Sequence, residues 1–173
     1  NCWIYPNAAV YGNAKVLENA KVCDMSNVWD NGIISGNAIL RGLTMVYDNA
    51  KIYDKAEICG CTMIFGDAKV YENARTYGLG IATGDVELAD NIMVYSNGAL
   101  KGGIQIYDNA QLYDNATVFD SSKIYGNAQI FGNAFIANNA LIYGNAWVYN
   151  NARVYGSAMV SNNAQIKSYD DIC

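Results

Sequence analysis

An aliphatic residue recurs at every sixth position from one end of the chain to the other. Counting from Ile4 to Ile172, 27 of the 29 positions at this spacing are Val, Ile or Leu, and only Thr76 and Ala82 depart from the pattern. A small residue, most often Ala, lies two positions before the aliphatic one in most repeats. Because no insertion shifts this register, the pattern predicts one small unit stacked many times, rather than a globular domain around a single core.

Each six-residue unit predicts a short β-strand followed by a corner. Side chains two positions apart in a strand share a face, so the small and the aliphatic residue point inward while the residue between them points outward. The other positions are mostly Gly, Asp and Asn, as in Gly12-Asn13 and Asp48-Asn49, and these residues tolerate the left-handed backbone conformation of tight corners. A period of six keeps no single helical face. We therefore predict an all-β chain whose parallel strands wind into a coil.

The repeat Asn-Ala-x-Val-Tyr-Gly resembles the hexapeptide-repeat family, and the resemblance covers the whole chain. It implies a single left-handed parallel β-helix over residues 1–173, with three strands and 18 residues per coil and about 9 to 10 uninterrupted coils. Tyrosines such as Tyr11 and Tyr53 stand where that family often has Gly, Ala or an acidic residue. This variant is similar to arrays in bacterial and phage proteins of unassigned function. The uncapped end at Ile172 is compatible with a further C-terminal domain beyond this sequence.

The enzymes of that family depend on histidine, which this chain lacks. Its acyltransferases use a histidine as general base, and its γ-class carbonic anhydrases hold their metal through three histidines. The five cysteines include one close pair, Cys59 and Cys61, which is too little for a zinc site. We therefore expect a non-enzymatic protein with no catalytic residue, cofactor or metal. A divergent acyltransferase-like enzyme, with a carboxylate or cysteine as its base, is the alternative.

The charge balance bears on partners and location. Eleven basic and sixteen acidic residues give a net charge of −5 at pH 7, which disfavours direct binding to nucleic acid or to an anionic membrane. No apolar stretch approaches the length of a membrane span, so we expect a soluble, cytoplasmic protein, with an extracellular or virion location as the alternative. The acidic charge also suits a decoy or inhibitor that occupies a basic groove of a partner protein.

With three repeats per coil, several departures from the pattern fall on one face. A corner position that is Asn in other repeats is apolar in four successive coils, and nearby outward positions carry Met, Ile and aromatic residues. The predicted apolar patch consists of Met25, Trp29, Leu43, Met45, Tyr47, Cys61, Met63, Phe65, Leu79 and Ile81. Such a block is typical of a protein interface, so we expect a homo-oligomer, as dimer or trimer, or a protein partner. A covering tail or second domain of the same polypeptide is the alternative.

Four carboxylates recur at the coil spacing and predict an acidic ridge along one corner. They are Asp54, Glu72, Asp90 and Asp108. Carboxylates stacked at the strand spacing of about 4.8 Å repel one another. We interpret the ridge as a solvated edge that keeps the rod in solution, and a row of oxygen ligands for divalent cations is the alternative.

Residues 74–91 form a second irregular tract. Thr76 and Ala82 replace aliphatic residues there, whereas Val86, Ile92 and Ile104 are larger than usual for the small inward position. The simplest interpretation is volume compensation inside a coil that stays wound, because protein interiors remain filled. A local kink or a groove for a ligand is the alternative.

Overall fold

The computed structural model describes residues 1–78, 80–84, 86–90, 93–96, 99–167 and 170–173, with the backbone alone for Met93, Tyr95 and Ser96. These ranges contain 29 β-strands of two to four residues and no helix. The all-β prediction is confirmed. Within the same ranges, no helix is long and apolar enough to cross a membrane.

The strands form three parallel sheets, and each full coil contributes one strand to every sheet. Sheet A contains β1 (Trp3–Ile4), β4 (Lys21–Val22), β7 (Ile39–Leu40), β10 (Glu57–Ile58), β13 (Arg75–Tyr77), β16 (Met93–Ser96), β19 (Gln111–Asp114), β22 (Gln129–Ile130), β25 (Trp147–Tyr149) and β28 (Gln165–Lys167). Sheet B contains β2 (Ala9–Val10), β5 (Asn27–Val28), β8 (Met45–Val46), β11 (Met63–Phe65), β14 (Ile81–Thr83), β17 (Ala99–Lys101), β20 (Thr117–Phe119), β23 (Phe135–Ile136), β26 (Arg153–Val154) and β29 (Asp171–Ile172). Sheet C contains β3 (Lys15–Val16), β6 (Ile33–Ile34), β9 (Lys51–Ile52), β12 (Lys69–Val70), β15 (Glu87–Leu88), β18 (Gln105–Ile106), β21 (Lys123–Ile124), β24 (Leu141–Ile142) and β27 (Met159–Val160).

Each strand pairs with the strands three places before and after it in chain order. On sheet B, the Cα partners of Met63 are Met45 and Ile81, which lie three repeats away on either side. The same register joins Lys69 to Glu87 on sheet C. The predicted coil of three strands and three repeats is therefore confirmed, and residues 18 positions apart lie directly above one another.

The interior of the coil is filled by the two inward positions of each repeat. All the positions of the six-residue frame from Val22 to Val160 are buried, and so are most of the small residues that precede them. Burial of this continuous aliphatic column removes apolar surface from water along the whole rod, which is the main source of stability for such a fold.

The irregular tract keeps the same winding. Thr76 and Ala82 point inward and are buried, and Val86 and Ile104 are fully buried at positions where smaller residues usually stand. The exchange of large and small side chains is incomplete, because a cavity of about 20 Å³ remains beside Thr76 and Ala82. Ile92, the third large residue of the prediction, lies outside the described residues.

Carboxylates hold the corners together. Many corners contain one residue with φ near +60°, and this residue is Gly, Asp, Asn or Glu. At most of the acidic ones, the side chain accepts a hydrogen bond from the backbone N–H of the residue three repeats later. Asp24 Oδ2 accepts from Gly42 N at 2.9 Å, and Asp108 Oδ2 accepts from Gly126 N at 2.9 Å. The same contact occurs at Asp48, Asp54, Glu72, Asp90, Asp114 and Asp120.

Asparagine side chains add a second set of links along the corners, which we call the Asn ladders. In one ladder, each amide N–H donates to the side-chain oxygen of the next coil at 3.0 to 3.2 Å; its members are Asn109, Asn127, Asn145 and Asn163. A second ladder joins Asn115, Asn133 and Asn151, with both contacts at 3.1 Å. The ladders and the carboxylates satisfy polar groups that the tight corners would otherwise leave to solvent.

Candidate interaction face

Sheet B presents an outer surface that differs in charge from those of the other two sheets. The outward position at the start of its strands is uncharged in eight successive coils: Ala9, Asn27, Met45, Met63, Ile81, Ala99, Thr117 and Phe135. At the same position sheet A carries Lys21, Glu57 and Arg75, and sheet C carries Lys15, Lys51, Lys69, Glu87 and Lys123. Sheet B is therefore the face from which a contacting surface would displace the fewest charged side chains.

The structure brings the predicted apolar patch together on this face. Met45, Met63 and Ile81 follow one another as Cα partners. Along the adjacent corner, the backbone N–H of Leu43 donates to the Gly60 carbonyl at 2.7 Å, which stacks the corner residues coil upon coil. The corner column of the patch comprises Met25, Leu43 and Cys61, and Leu79, its fourth predicted member, lies outside the described residues.

Aromatic rings form the opposite border of the patch. The rings of Trp29 and Tyr47 stack with centroids 4.5 Å apart and planes within 6° of parallel, and those of Tyr47 and Phe65 stack at 4.7 Å. Tyr11 extends this stack by one more coil, with its ring centroid 5.8 Å from that of Trp29. Sequence reasoning left Tyr11 out of the patch, although it lies three repeats before Trp29 and so belongs to the same column.

No described segment of the chain covers the patch. Met25 is 56% exposed, Leu43 42% and Met45 36%, while Met63 and the rings of Trp29, Tyr47 and Phe65 are half-buried by their own neighbours. The apolar surface is thus accessible on the part of the chain that the structure describes. Burial raises the pKa of Tyr47, as expected for a phenol packed between two rings.

The acidic ridge has a structural role that sequence reasoning missed. Its four carboxylates occupy corner positions with φ between 57° and 64°. Each accepts the backbone N–H of the next coil, for example Glu72 Oε2 from Asp90 N at 3.1 Å. The negative charges of Glu72 and Asp90 nevertheless repel each other. The pKa of Glu72 is raised, first by a hydrogen bond shared with the Asp90 carboxyl, then by desolvation and by the charge of Asp90. Among the described residues, no group of three or more Cys, Asp or Glu side chains is arranged to hold a metal ion.

A polar cluster on sheet C was also missed. Lys69 Nζ lies 2.9 Å from Glu87 Oε1, and the Tyr107 hydroxyl donates to Glu87 Oε2 at 3.2 Å. The hydrogen bond from Lys69 is the main cause that lowers the pKa of Glu87, whereas burial and then the Glu87 contact raise the pKa of Tyr107 to about 12. Opposite charges three repeats apart would have been the sequence signal. Because its members satisfy one another, the cluster stabilises sheet C rather than offering free groups to a ligand.

Two cysteine thiols that directly follow strands of sheet A have raised pKa values. Burial is the first cause that raises the pKa of both Cys23 and Cys59, and Cys59 Sγ donates to Glu57 Oε1 at 3.8 Å. A raised pKa keeps these thiols protonated at neutral pH.

Comparison with known proteins supports the repeat architecture. A family model described as the YdcK beta solenoid repeat matches residues 110–126, 140–156 and 146–162. No curated protein matches the chain significantly. The matched segments contain regular repeats that build β19 to β21 and β24 to β27, outside the irregular tract. Together with the stacked parallel coils, this similarity identifies a β-solenoid repeat protein.

Proposed function

We propose that this β-solenoid is a rigid, non-enzymatic scaffold that associates with a second copy of itself, or with a partner protein, through the apolar patch of sheet B. The observation that carries the proposal is the coincidence of stacked aromatic rings, exposed methionines and an uncharged column on one of three otherwise similar faces. Neither the enzyme nor the decoy alternative gains a specific observation from the described residues.

The scaffold part of the proposal rests on the links between coils. Sheet hydrogen bonds join successive coils along the described chain, and carboxylates at the corners and the Asn ladders add further links between many of them. Ring stacks such as Tyr53 on Tyr71, at 4.9 Å, add a further contact between the same coils. A surface built on such elements keeps its shape before binding, so little conformational entropy is lost on association.

The binding part rests on the chemistry of the patch. Contiguous exposed apolar surface on the order of several hundred Å² usually marks an interaction site on a protein in water. Aromatic residues and Met are enriched at such sites, and charged residues are depleted from their centres. The patch has this composition, and charged side chains occupy the corresponding column on the other two faces.

Two lysines introduced at the centre of the patch test the proposal. We expect the wild-type chain to form a discrete oligomer in sedimentation velocity, and Met45→Lys with Met63→Lys to convert it to monomer, because a charge buried in an apolar contact is strongly unfavourable. Ile33→Lys on sheet C and Ile39→Lys on sheet A are matched controls, since both are half-buried outward residues on other faces. We expect these two variants to keep the oligomer.

Two results would contradict self-association. One is a wild-type chain that sediments as a monomer at its highest soluble concentration. The other is an oligomer that survives the double substitution while circular dichroism shows all variants equally folded. If the chain is monomeric, binding of a purified partner that is lost with the patch substitutions alone supports the heterologous form of the proposal.

A further inference from the structure

A second feature of sheet B lies towards the other end of the rod from the apolar patch. An open groove of about 790 Å³ runs along the coils between residues 117 and 171. Its floor consists of outward residues that are successive Cα partners: Thr117, Phe135, Arg153 and Asp171. The volume is in the range of small-molecule binding sites, which is about 300 to 1,000 Å³.

One wall of the groove is the second Asn ladder. Asn133 donates its amide N–H to Asn151, and both residues line the groove. Asn151 is the last member of this ladder, and its own amide N–H groups meet no acceptor among the described residues. Arg153, beside it on the floor, likewise forms no ion pair there, although Asp171 is its Cα partner. The groove therefore offers hydrogen-bond donors that no described residue uses, next to a carboxylate acceptor.

The other wall contains one aromatic residue, beside a position with a small side chain. Tyr155 lines the groove, and the residue three repeats earlier in the same column is Ala137 rather than an aromatic residue. A second hollow of about 510 Å³ opens over Ala137 and shares Phe135 and Tyr155 with the groove. Phe135 is 36% exposed, and its ring lies 37° from the plane of Phe119, at a centroid distance of 5.4 Å.

The combination of side chains indicates the chemical class of the ligand. Exposed rings stack well on a flat ligand face, while a polyhydroxylated ligand needs both donors and acceptors around it. Arg153 and Asp171 present opposite charges, so a ligand of either net charge would meet a like charge in the groove. A purely apolar segment would leave the guanidinium and the amide unpaired. The geometry points to a binding site for a neutral oligosaccharide, with Phe135 and Tyr155 as stacking platforms and Arg153 and Asn151 as donors.

Affinity electrophoresis with neutral soluble polysaccharides tests this assignment. The gels contain laminarin, hydroxyethylcellulose, dextran or glucomannan, and we expect at least one of them to retard the wild-type chain. Phe135→Ala and Arg153→Met should each weaken that binding by about tenfold, since each removes one platform or donor. Both side chains are exposed, and Arg153→Met keeps the shape of the strand residue, so at least one variant remains informative if the other fails to fold.

Controls separate this site from the apolar patch. Phe131→Ala removes a ring of sheet A that stacks on Tyr149 at 5.0 Å, and it should leave the retardation unchanged. Met45→Lys with Met63→Lys should also leave it unchanged, whatever that double substitution does to the oligomer. The assignment is overturned if no neutral polysaccharide retards the chain, if heparin retards it in their place, or if the groove variants bind as well as the wild type.

Discussion

At the scale of single residues, the buried hydroxyls divide into two groups. Thr44 Oγ1 donates to the Arg41 carbonyl at 2.8 Å, and Ser122 Oγ donates to the Phe119 carbonyl at 2.9 Å. Ser26 Oγ is buried at the same small inward position, and Thr76 Oγ1 is buried at an aliphatic position, but neither has a hydrogen-bond partner among the described residues. A buried polar group without a partner costs free energy that an apolar group of similar shape does not.

We therefore expect Ser26→Ala and Thr76→Val to stabilise the fold, each by about 1 kcal/mol. Alanine already occupies the position of Ser26 in most repeats, and valine has nearly the shape of threonine. Ser122→Ala is the matched control and should lower stability, because its hydroxyl makes a bond that is lost. Urea unfolding midpoints measure all three effects. Equal midpoints for Ser26→Ala and Ser122→Ala would show that the hydroxyl of Ser26 finds a partner in solution.

Two glutamates should respond to pH in opposite directions. Folding lowers the pKa of Glu87 from its ordinary 4.5. The contribution of this group to the free energy of unfolding is therefore complete above pH 4.5 and is lost as the pH falls through the lowered pKa. Folding raises the pKa of Glu72 from 4.5. The contribution of this group to the free energy of unfolding is therefore complete below pH 4.5 and is lost as the pH rises through the raised pKa.

Glutamine substitutions expose this contrast. At neutral pH, Glu87→Gln should be less stable than the wild type, whereas Glu72→Gln should be at least as stable, because it removes a charge beside Asp90. The deficit of Glu87→Gln should shrink only as the pH falls below 4.5 through the lowered pKa of Glu87, whereas the difference at Glu72 should already shrink as the pH falls through the raised pKa of that group. Urea midpoints across this range provide the measurement. A Glu72→Gln variant that is much less stable than the wild type at neutral pH would show that its contact with Asp90 N needs the full carboxylate charge.

At the scale of strands and corners, glycine is required where the next coil comes closest. Gly60 has φ of +93°, and a Cβ built there would lie 2.5 Å from the carbonyl oxygen of Gly78. Gly156 has φ of +68°, and the nearest atom to its Cβ would be 3.6 Å away. Both positions disfavour an L-amino acid through their dihedral angles, but only the first adds a collision with the backbone.

Alanine at these two corners should have very different costs. We expect Gly156→Ala to lower the free energy of unfolding by about 1 kcal/mol and Gly60→Ala to lower it by at least about 3 kcal/mol. Thermal or urea unfolding of the two variants beside the wild type measures the difference. Similar costs at both corners would mean that the coils separate locally to admit the methyl group.

The strands were predictable from the sequence, whereas several corner contacts were not. Alternation of inward and outward residues placed Val46 in the interior and Met45 outside it, as the structure confirms. The carboxylate of Asp54 looked like one charge in a repelling column, because spacing alone does not reveal that its oxygen reaches the N–H of Glu72. The groove at Phe135 was missed for a similar reason, since the repeat spacing does not reveal the open volume between side chains. Ala137 in a column with aromatic neighbours was the available clue.

At the scale of the whole molecule, the period of three repeats explains why a one-dimensional pattern gave a three-dimensional patch. Leu43 and Cys61 look unrelated in the linear sequence. The coil spacing predicts that one lies above the other, and the structure stacks them. The left-handed winding implied by the resemblance, and the partner of the patch, stay predictions. Handedness depends on how the corners turn, and a partner depends on a molecule that the sequence does not contain.

The carboxylates at the corners give the rod a direction. In all eight contacts the acceptor belongs to the earlier coil and the donating N–H to the one that follows it. A chain leaves the ribosome starting from its N-terminus, so a finished turn already displays acceptors when the following segment emerges. During synthesis each of these carboxylates is therefore present before the N–H group that it accepts.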